Sequence, residues 1–147
     1  MRLIIQRVKH AKVTRKSSGE VVGKIDKGLF VLVGFKKGDG EEVLNTLSEK
    51  LSKLRVMSDS SDKMNLSTVD VGSDVLVVSQ FTLYADTKGG NRPSFIDAEE
   101  PGKARILYDL FVAKLKEKGI KVETGSFGDY MEIETVLDGP VTITYEA

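Results

Sequence analysis

Apolar residues recur along this chain at two different spacings. Leu3 to Val8 is a short apolar run, Ala11 to Arg15 alternates weakly, and Ser18-Gly19 reads as a turn into Glu20 to Ile25. Gly28-Leu-Phe-Val-Leu-Val-Gly34 is apolar throughout between its glycines, the pattern of a strand covered on both faces. The period then lengthens. Leu44, Leu47, Leu51 and Leu54 follow Gly38-Asp-Gly40 at helical spacing, with charges between them. Ser58 to Asn65 is rich in Ser and Asp and reads as a loop, and Asp74 to Phe81 is the most strand-like segment. Lys88-Gly-Gly-Asn-Arg-Pro93 is a second loop. Pro101 suits the first turn of a second helix with an apolar stripe of Ala104, Leu107, Tyr108, Phe111 and Leu115, ended by Gly119. Ile120 to Thr124, Tyr130 to Val136 and Val141 to Tyr145 read as closing strands. Two amphipathic helices among many strands, without βαβ alternation, predict an α+β fold with largely antiparallel sheets.

Composition narrows the chemistry. At 147 residues the chain is expected to form one domain, residues 1–147, and 40% hydrophobic with 30% charged residues is the balance of a globular protein. There is no cysteine and one histidine, His10, which excludes thiolate nucleophiles, disulfides, Cys-based metal sites and multi-His sites. No metal and no cofactor is expected. Twenty-two basic residues balance twenty-two acidic ones, which argues against bulk polyelectrolyte binding to nucleic acid. Met1-Arg-Leu-Ile-Ile-Gln-Arg-Val8 is too short and too interrupted for a signal peptide, and no stretch reaches the roughly 20 apolar residues of a membrane span. The expected location is cytoplasmic, with no membrane contact.

Few residues offer catalytic chemistry. His10 sits among Lys9, Ala11 and Lys12 and reads either as a general base or, more simply, as a surface residue. Glu99-Glu100 are acids in a helix's first turn, where the helix dipole favours them anyway. Gly34…Gly38-Asp-Gly40 lacks the Gly-Lys-Ser/Thr of a phosphate loop. Ser79-Gln-Phe-Thr-Leu-Tyr-Ala-Asp86 is more informative, because polar groups interrupt the end of a strongly apolar strand. Its hydroxyls, amide and aromatic ring either line a pocket or merely leave the core into a hairpin. Arg92 can meet a phosphate or carboxylate, and Asp138-Gly-Pro-Val-Thr142 reads as a turn in which Pro140 can be cis, a form few X–Pro bonds take. Residues 1–16 hold Arg2, Arg7, Lys9, Lys12, Arg15 and Lys16 and no acid. That stretch is either a basic face for phosphates or a solvated edge protected by lysines.

Taken together, Gln6-Arg-Val8, Gly28 to Gly34, Lys63-Met-Asn65, Val78-Ser-Gln-Phe-Thr-Leu83 with Ala85-Asp86, Arg92-Pro-Ser-Phe95, Leu107-Tyr-Asp109, Thr124-Gly-Ser-Phe127 and Asp138-Gly-Pro-Val-Thr142 resemble the D-aminoacyl-tRNA deacylases, also called D-tyrosyl-tRNA deacylases. The likeness runs along essentially the whole chain. It implies a barrel-like β core and an enzyme of translation quality control. Such an enzyme hydrolyses the ester between a D-amino acid, or glycine, and the 3′-terminal adenosine of tRNA, and rejects L-aminoacyl-tRNA. It implies a homodimer with active sites at the subunit interface. By resemblance, Ser79, Gln80, Phe81 and Thr82 line the pocket, with backbone N–H groups near Phe81 and Thr82 as oxyanion donors. Gly139 and Pro140 match a Gly-cisPro motif that enters the partner's pocket, and Met131, Arg92 and Phe95 are expected on the substrate side. Asp62 before Lys63, Asp129-Tyr130 and Leu137 depart from the family's usual residues.

Two mechanisms stand at this point. Thr82 attacks and forms an acyl-enzyme, although no partner that activates its hydroxyl is evident. Alternatively water attacks, positioned by the 2′-hydroxyl of the tRNA, while backbone N–H groups hold the oxyanion. A non-catalytic RNA- or DNA-binding module working through the basic N-terminal strands is the alternative from another class. A serine esterase lacks its Gly-x-Ser-x-Gly turn here.

Overall fold

The computed structural model describes all 147 residues. Its elements are β1 (Arg2–Arg15), β2 (Val21–Ile25), β3 (Gly28–Gly34), α1 (Glu41–Ser52), β4 (Met57–Ser58), β5 (Met64–Leu66), α2 (Thr68–Val71), β6 (Asp74–Ser79), a 3-10 turn (Phe81–Tyr84), α3 (Pro101–Glu117), β7 (Val122–Thr124) and β8 (Met131–Glu146).

The main sheet runs β2-β1-β3-β6-β7, with β8 added to β1. Long β1 serves three neighbours, all antiparallel. Arg2–Val8 pair with β3, Ala11–Thr14 with β2, and Arg2 to Arg15 with β8. β3, β6 and β7 run parallel, which makes the sheet mixed. The expected α+β class with predominantly antiparallel pairing holds, with two parallel pairs added.

Side-chain alternation sorts the core into two layers. On β3 and β6, Leu29, Val31, Val33, Val75 and Val77 face one cluster, where Leu44, Leu47 and Leu51 of α1 and Leu107, Phe111 and Leu115 of α3 cover them. Phe30, Leu76 and Val78 face the other, with Val8, Ala11, Val13 and Ile25. This second cluster is the inside of a nearly closed barrel. Closure depends on Gly23, where a Cβ would lie 2.3 Å from the Thr124 carbonyl oxygen and 2.9 Å from Leu76 Cδ1. The strand expected to be buried on both faces, Gly28–Gly34, is so buried. Pro101 opens α3 as expected, and the Tyr108 hydroxyl at the centre of that helix donates to the Val77 carbonyl at 2.8 Å.

Several expectations change. Leu3–Val8 and Ala11–Arg15 are one strand, because β8 pairs with β1 continuously enough to carry it past exposed Lys9 and His10. Tyr130–Val136 and Val141–Tyr145 also merge, into β8, so Asp138–Thr142 is not a turn. Gly139 and Pro140 instead sit in a wide bulge, and the peptide between them is cis. Proline, which cannot donate to a ladder, is tolerated there because β8 is an edge strand. Met57–Ser58 and Met64–Leu66 pair at the two ends of the Ser/Asp loop. A third, short helix, α2, forms on the Ser67–Asp70 capping box.

Candidate functional site

The chain leaves β6 at Ser79 and turns at once. The Gln80 N–H donates to Val33 O at 2.7 Å, and Leu83 N and Ala85 N close the 3-10 turn onto Gln80 O (3.3 Å) and Thr82 O (3.0 Å). The turn packs directly on the end of β3 because residue 34 is glycine. A Cβ there would lie 2.9 Å from Gln80 O and 3.0 Å from Leu83 Cβ. Tyr84 plugs the turn into the body of the protein, and burial pushes its hydroxyl up to about 12.

On the outer side, Gln80 Nε2 donates to Thr82 Oγ1 at 2.5 Å. Phe81 is 58% exposed and meets Phe95 edge-on, with ring centroids 5.0 Å apart. Phe95 is brought there by a hairpin whose ends, Asp86 and Ser94, exchange two backbone bonds of 2.8 Å. Arg92 lies exposed in that hairpin and forms no ion pair. The first N–H groups of any helix have no acceptor within it, and in this turn they belong to Phe81 and Thr82. No side chain caps them. An exposed aromatic platform beside uncapped N–H groups suits an oxygen that gains negative charge.

Met131 reaches the end of β6 from inside the barrel. Its Sδ accepts from Ser126 N at 3.2 Å, and a Cβ on Gly125 would fall between Met131 Sδ (3.0 Å) and Val78 Cγ2 (3.2 Å). Met131 therefore lies beside Val78, one residue before Ser79. A cleft of about 240 Å³ opens nearby, lined by Arg105, Tyr108, Thr124, Ser126 and Phe127. The Arg15 guanidinium fastens its rim, donating to Asp129 Oδ2 at 2.8 Å and Ser126 Oγ at 3.1 Å.

Gly139 and Pro140 are not with them. They are exposed on β8, with β1 and β3 between them and β6, a span of three strand spacings or roughly 14 Å. Within one chain the structure brings together Ser79, Gln80, Phe81, Thr82 and Phe95, with Met131 adjoining, and leaves Gly139-Pro140 apart.

The weaker candidates resolve simply. His10 is exposed and forms no side-chain hydrogen bond. Glu99 pairs with Lys103 at 2.7 Å, which holds its carboxyl below the usual range, and Glu100 is the residue that precedes α3. The basic segment is largely neutralised by acids the sequence reading did not place beside it. Arg2 pairs with Glu146, Arg7 with Asp138, Lys12 with Glu134, and Arg15 with Glu20 and Asp129. Sequence reasoning also missed Arg2 and Tyr84, which hold the 3-10 turn, and no local signal marks either.

The model of the D-Tyr-tRNA(Tyr) deacylase family matches residues 4–146. A protein of Geobacillus sp. (strain WCH70) named D-aminoacyl-tRNA deacylase is 50% identical over 147 residues, covering 100% of this chain and 95% of that one. One of the same name from Limosilactobacillus reuteri (strain DSM 20016) is 54% identical over 146 residues, covering 99% of each. Among solved structures, the c-Myc DNA Unwinding Element Binding Protein superposes with a TM-score of 0.92 at 35% identity, covering 100% of this chain and 99% of that one. A probable eukaryotic D-amino acid tRNA deacylase superposes at 0.84 with 17% identity over 98% and 97%, a likeness of fold.

Proposed function

The chain belongs to the D-Tyr-tRNA(Tyr) deacylase family and is a hydrolase, and from that premise we propose that residues 1–147 act as one unit that cleaves the ester of D-aminoacyl-tRNA. The observation that carries the reading is the 3-10 turn after β6. It combines uncapped N–H groups at Phe81 and Thr82, a polar pair in Gln80 and Thr82, and an aromatic platform of exposed Phe81 against half-buried Phe95.

The terminal adenosine stacks on the Phe81–Phe95 platform, with Met131 closing the inner wall and Arg92 near the acceptor-end phosphates. Water adds to the ester carbonyl carbon, and the N–H groups of Phe81 and Thr82 hold the resulting oxyanion. The bond from carbon to the ribose 3′-oxygen then breaks, and that oxygen takes up the proton the water gave up. The 2′-hydroxyl of the tRNA positions the water. Thr82 Oγ1 already accepts from Gln80 and has no basic partner, which favours water over Thr82 as the nucleophile.

Enantiomers share the same apolar area and the same polar groups, so rejection of L-amino acids needs shape. Gly139 and Pro140 lie too far from the turn to act within one chain and are exposed, which supports a homodimer in which each fills the partner's pocket. Backbone is suited to the task, since no rotamer change moves it aside. Glycine esters, with no side chain to exclude, pass as well. The alternative, a non-catalytic nucleic-acid module using β1, is weakened by the ion pairs that neutralise Arg2, Arg7, Lys12 and Arg15.

Release from D-Ala-, Gly- and L-Ala-tRNA under identical conditions tests the reading. Release from the first two and not the third is expected. No release from D-Ala-tRNA overturns the hydrolytic site, and equal release of D- and L-Ala overturns the backbone filter alone. Light scattering at low micromolar concentration is expected to give about twice the chain mass.

A further inference from the structure

A four-residue 3-10 turn has little stability of its own, so something must hold it in the orientation that aims its N–H groups. At its start it is held by the bond from Gln80 N to Val33 O and by close packing on Gly34. Its end also packs on Gly34, through Leu83 and buried Tyr84, but its last backbone carbonyl has no such bond. The Thr82 carbonyl receives Ala85 N, but the N–H three residues beyond Leu83 belongs to Asp86 and is engaged with Ser94 O. The Leu83 carbonyl is thus left without a partner in the turn, as helix ends leave such groups.

Arg2 supplies that partner. Its Nη1 donates to Leu83 O, while Nη2 donates to Glu146 Oε1 at 2.6 Å. The guanidinium carbon lies 4.9 Å from the centre of the Tyr84 ring, so the same planar group lies on the side chain that anchors the turn. Arg2 and Glu146 face each other in the β1–β8 register, which fixes where the guanidinium sits. A guanidinium presents donors in two fixed directions at once, and an ammonium does not.

We propose that Arg2, braced by Glu146, is a positioning residue for this site. By holding the Leu83 carbonyl and Tyr84 it sets the direction of the Phe81 and Thr82 N–H groups. The proposal rests on the reading of Ser79–Thr82 as the hydrolytic site. It adds that the site's orientation is set from the paired ends of β1 and β8.

The test compares the full-length protein with Arg2→Ala, Arg2→Lys and Glu146→Ala. It measures kcat and KM for D-tyrosyl-adenosine, and the ¹⁵N–¹H shifts and exchange rates of the Phe81 and Thr82 amides. Arg2→Ala is expected to lower kcat about tenfold or more with KM within about twofold, since a small misplacement costs the transition state and not ground-state binding. The two amides are expected to shift and exchange faster. Arg2→Lys recovers part of kcat, and Glu146→Ala falls between the native protein and Arg2→Ala. A kcat within about twofold of native for Arg2→Ala overturns the proposal. So does a fall in kcat that accompanies lost stability while both amides stay unchanged, for Arg2 is then a strut only. If Arg2→Ala does not fold, Glu146→Ala decides by the same two readouts. If the native protein releases no D-tyrosine, the hydrolytic reading fails, and the amides alone decide whether Arg2 holds the turn.

Discussion

Arg7 Nε lies 3.1 Å from the carbonyl oxygen of Asp138 and 3.3 Å from its carboxylate. Between the pairs Gln6↔Thr142 and Val8↔Leu137, Arg7 alone stands opposite Asp138, Gly139, Pro140 and Val141. Its guanidinium therefore fills the bulge, and its Nη1 reaches the Val56 carbonyl at 2.7 Å.

Arg7→Ala is expected to leave both carbonyls short of a partner and to cost about 1–3 kcal/mol, because the side chain is only 11% exposed. For a chain of this size that is roughly 3–10 °C in Tm, read by calorimetry. Arg7→Lys restores charge but not the fork and is expected to recover only part. A Tm within a degree of native for Arg7→Ala would show that β8 holds its bulge unaided.

Gly23→Ala is expected to open the seam between β2 and β7. A methyl group 2.3 Å from Thr124 O cannot be absorbed by a rotamer change, since the obstacle is backbone. Overpacking of this kind costs about 1–3 kcal/mol. Denaturant unfolding measures the loss, and faster amide exchange confined to Val21–Ile25 and Val122–Thr124 locates it.

Thr82→Ala keeps the backbone N–H and removes the hydroxyl that accepts from Gln80. It is expected to reduce hydrolysis modestly, by about tenfold or less, in single-turnover kinetics. A loss of several orders of magnitude, with a trappable acyl-enzyme in the native protein, points instead to Thr82 as nucleophile.

Lys118 and Lys53 bring their ammonium groups to Glu49 and pull its carboxyl from the ordinary 4.5 down to about 2. A carboxyl lowered in the folded state stabilises fully above its unfolded value and loses that contribution as pH falls. Stability is therefore expected to decline as pH falls through the window from 4.5 toward 2. Glu49→Gln is expected to flatten that decline in denaturant titrations at stepped pH. An unchanged slope means the pairs of Glu49 with Lys118 and Lys53 contribute nothing.

Much of this architecture is written locally. Leu44, Leu47 and Leu51 at helical spacing, Pro101 opening a helix, and the two-sided apolar run Gly28–Gly34 each need only their own neighbours to be read. The polar interruption at Ser79–Thr82 was legible for the same reason, since it breaks an apolar strand within a few residues. Tertiary structure decided what depends on register between distant segments. Pairing with β1 turned two closing strands into one and made Asp138–Thr142 a bulge over Arg7 and not a turn. The same pairing set Glu146, Asp138 and Glu134 against Arg2, Arg7 and Lys12, so that a segment basic in sequence is largely neutral in space. Spacing along the chain reveals which face a side chain occupies, because backbone periodicity is local. It does not reveal which charge or carbonyl lies across the sheet, because that is fixed only when strands far apart in sequence bury their apolar faces in one register.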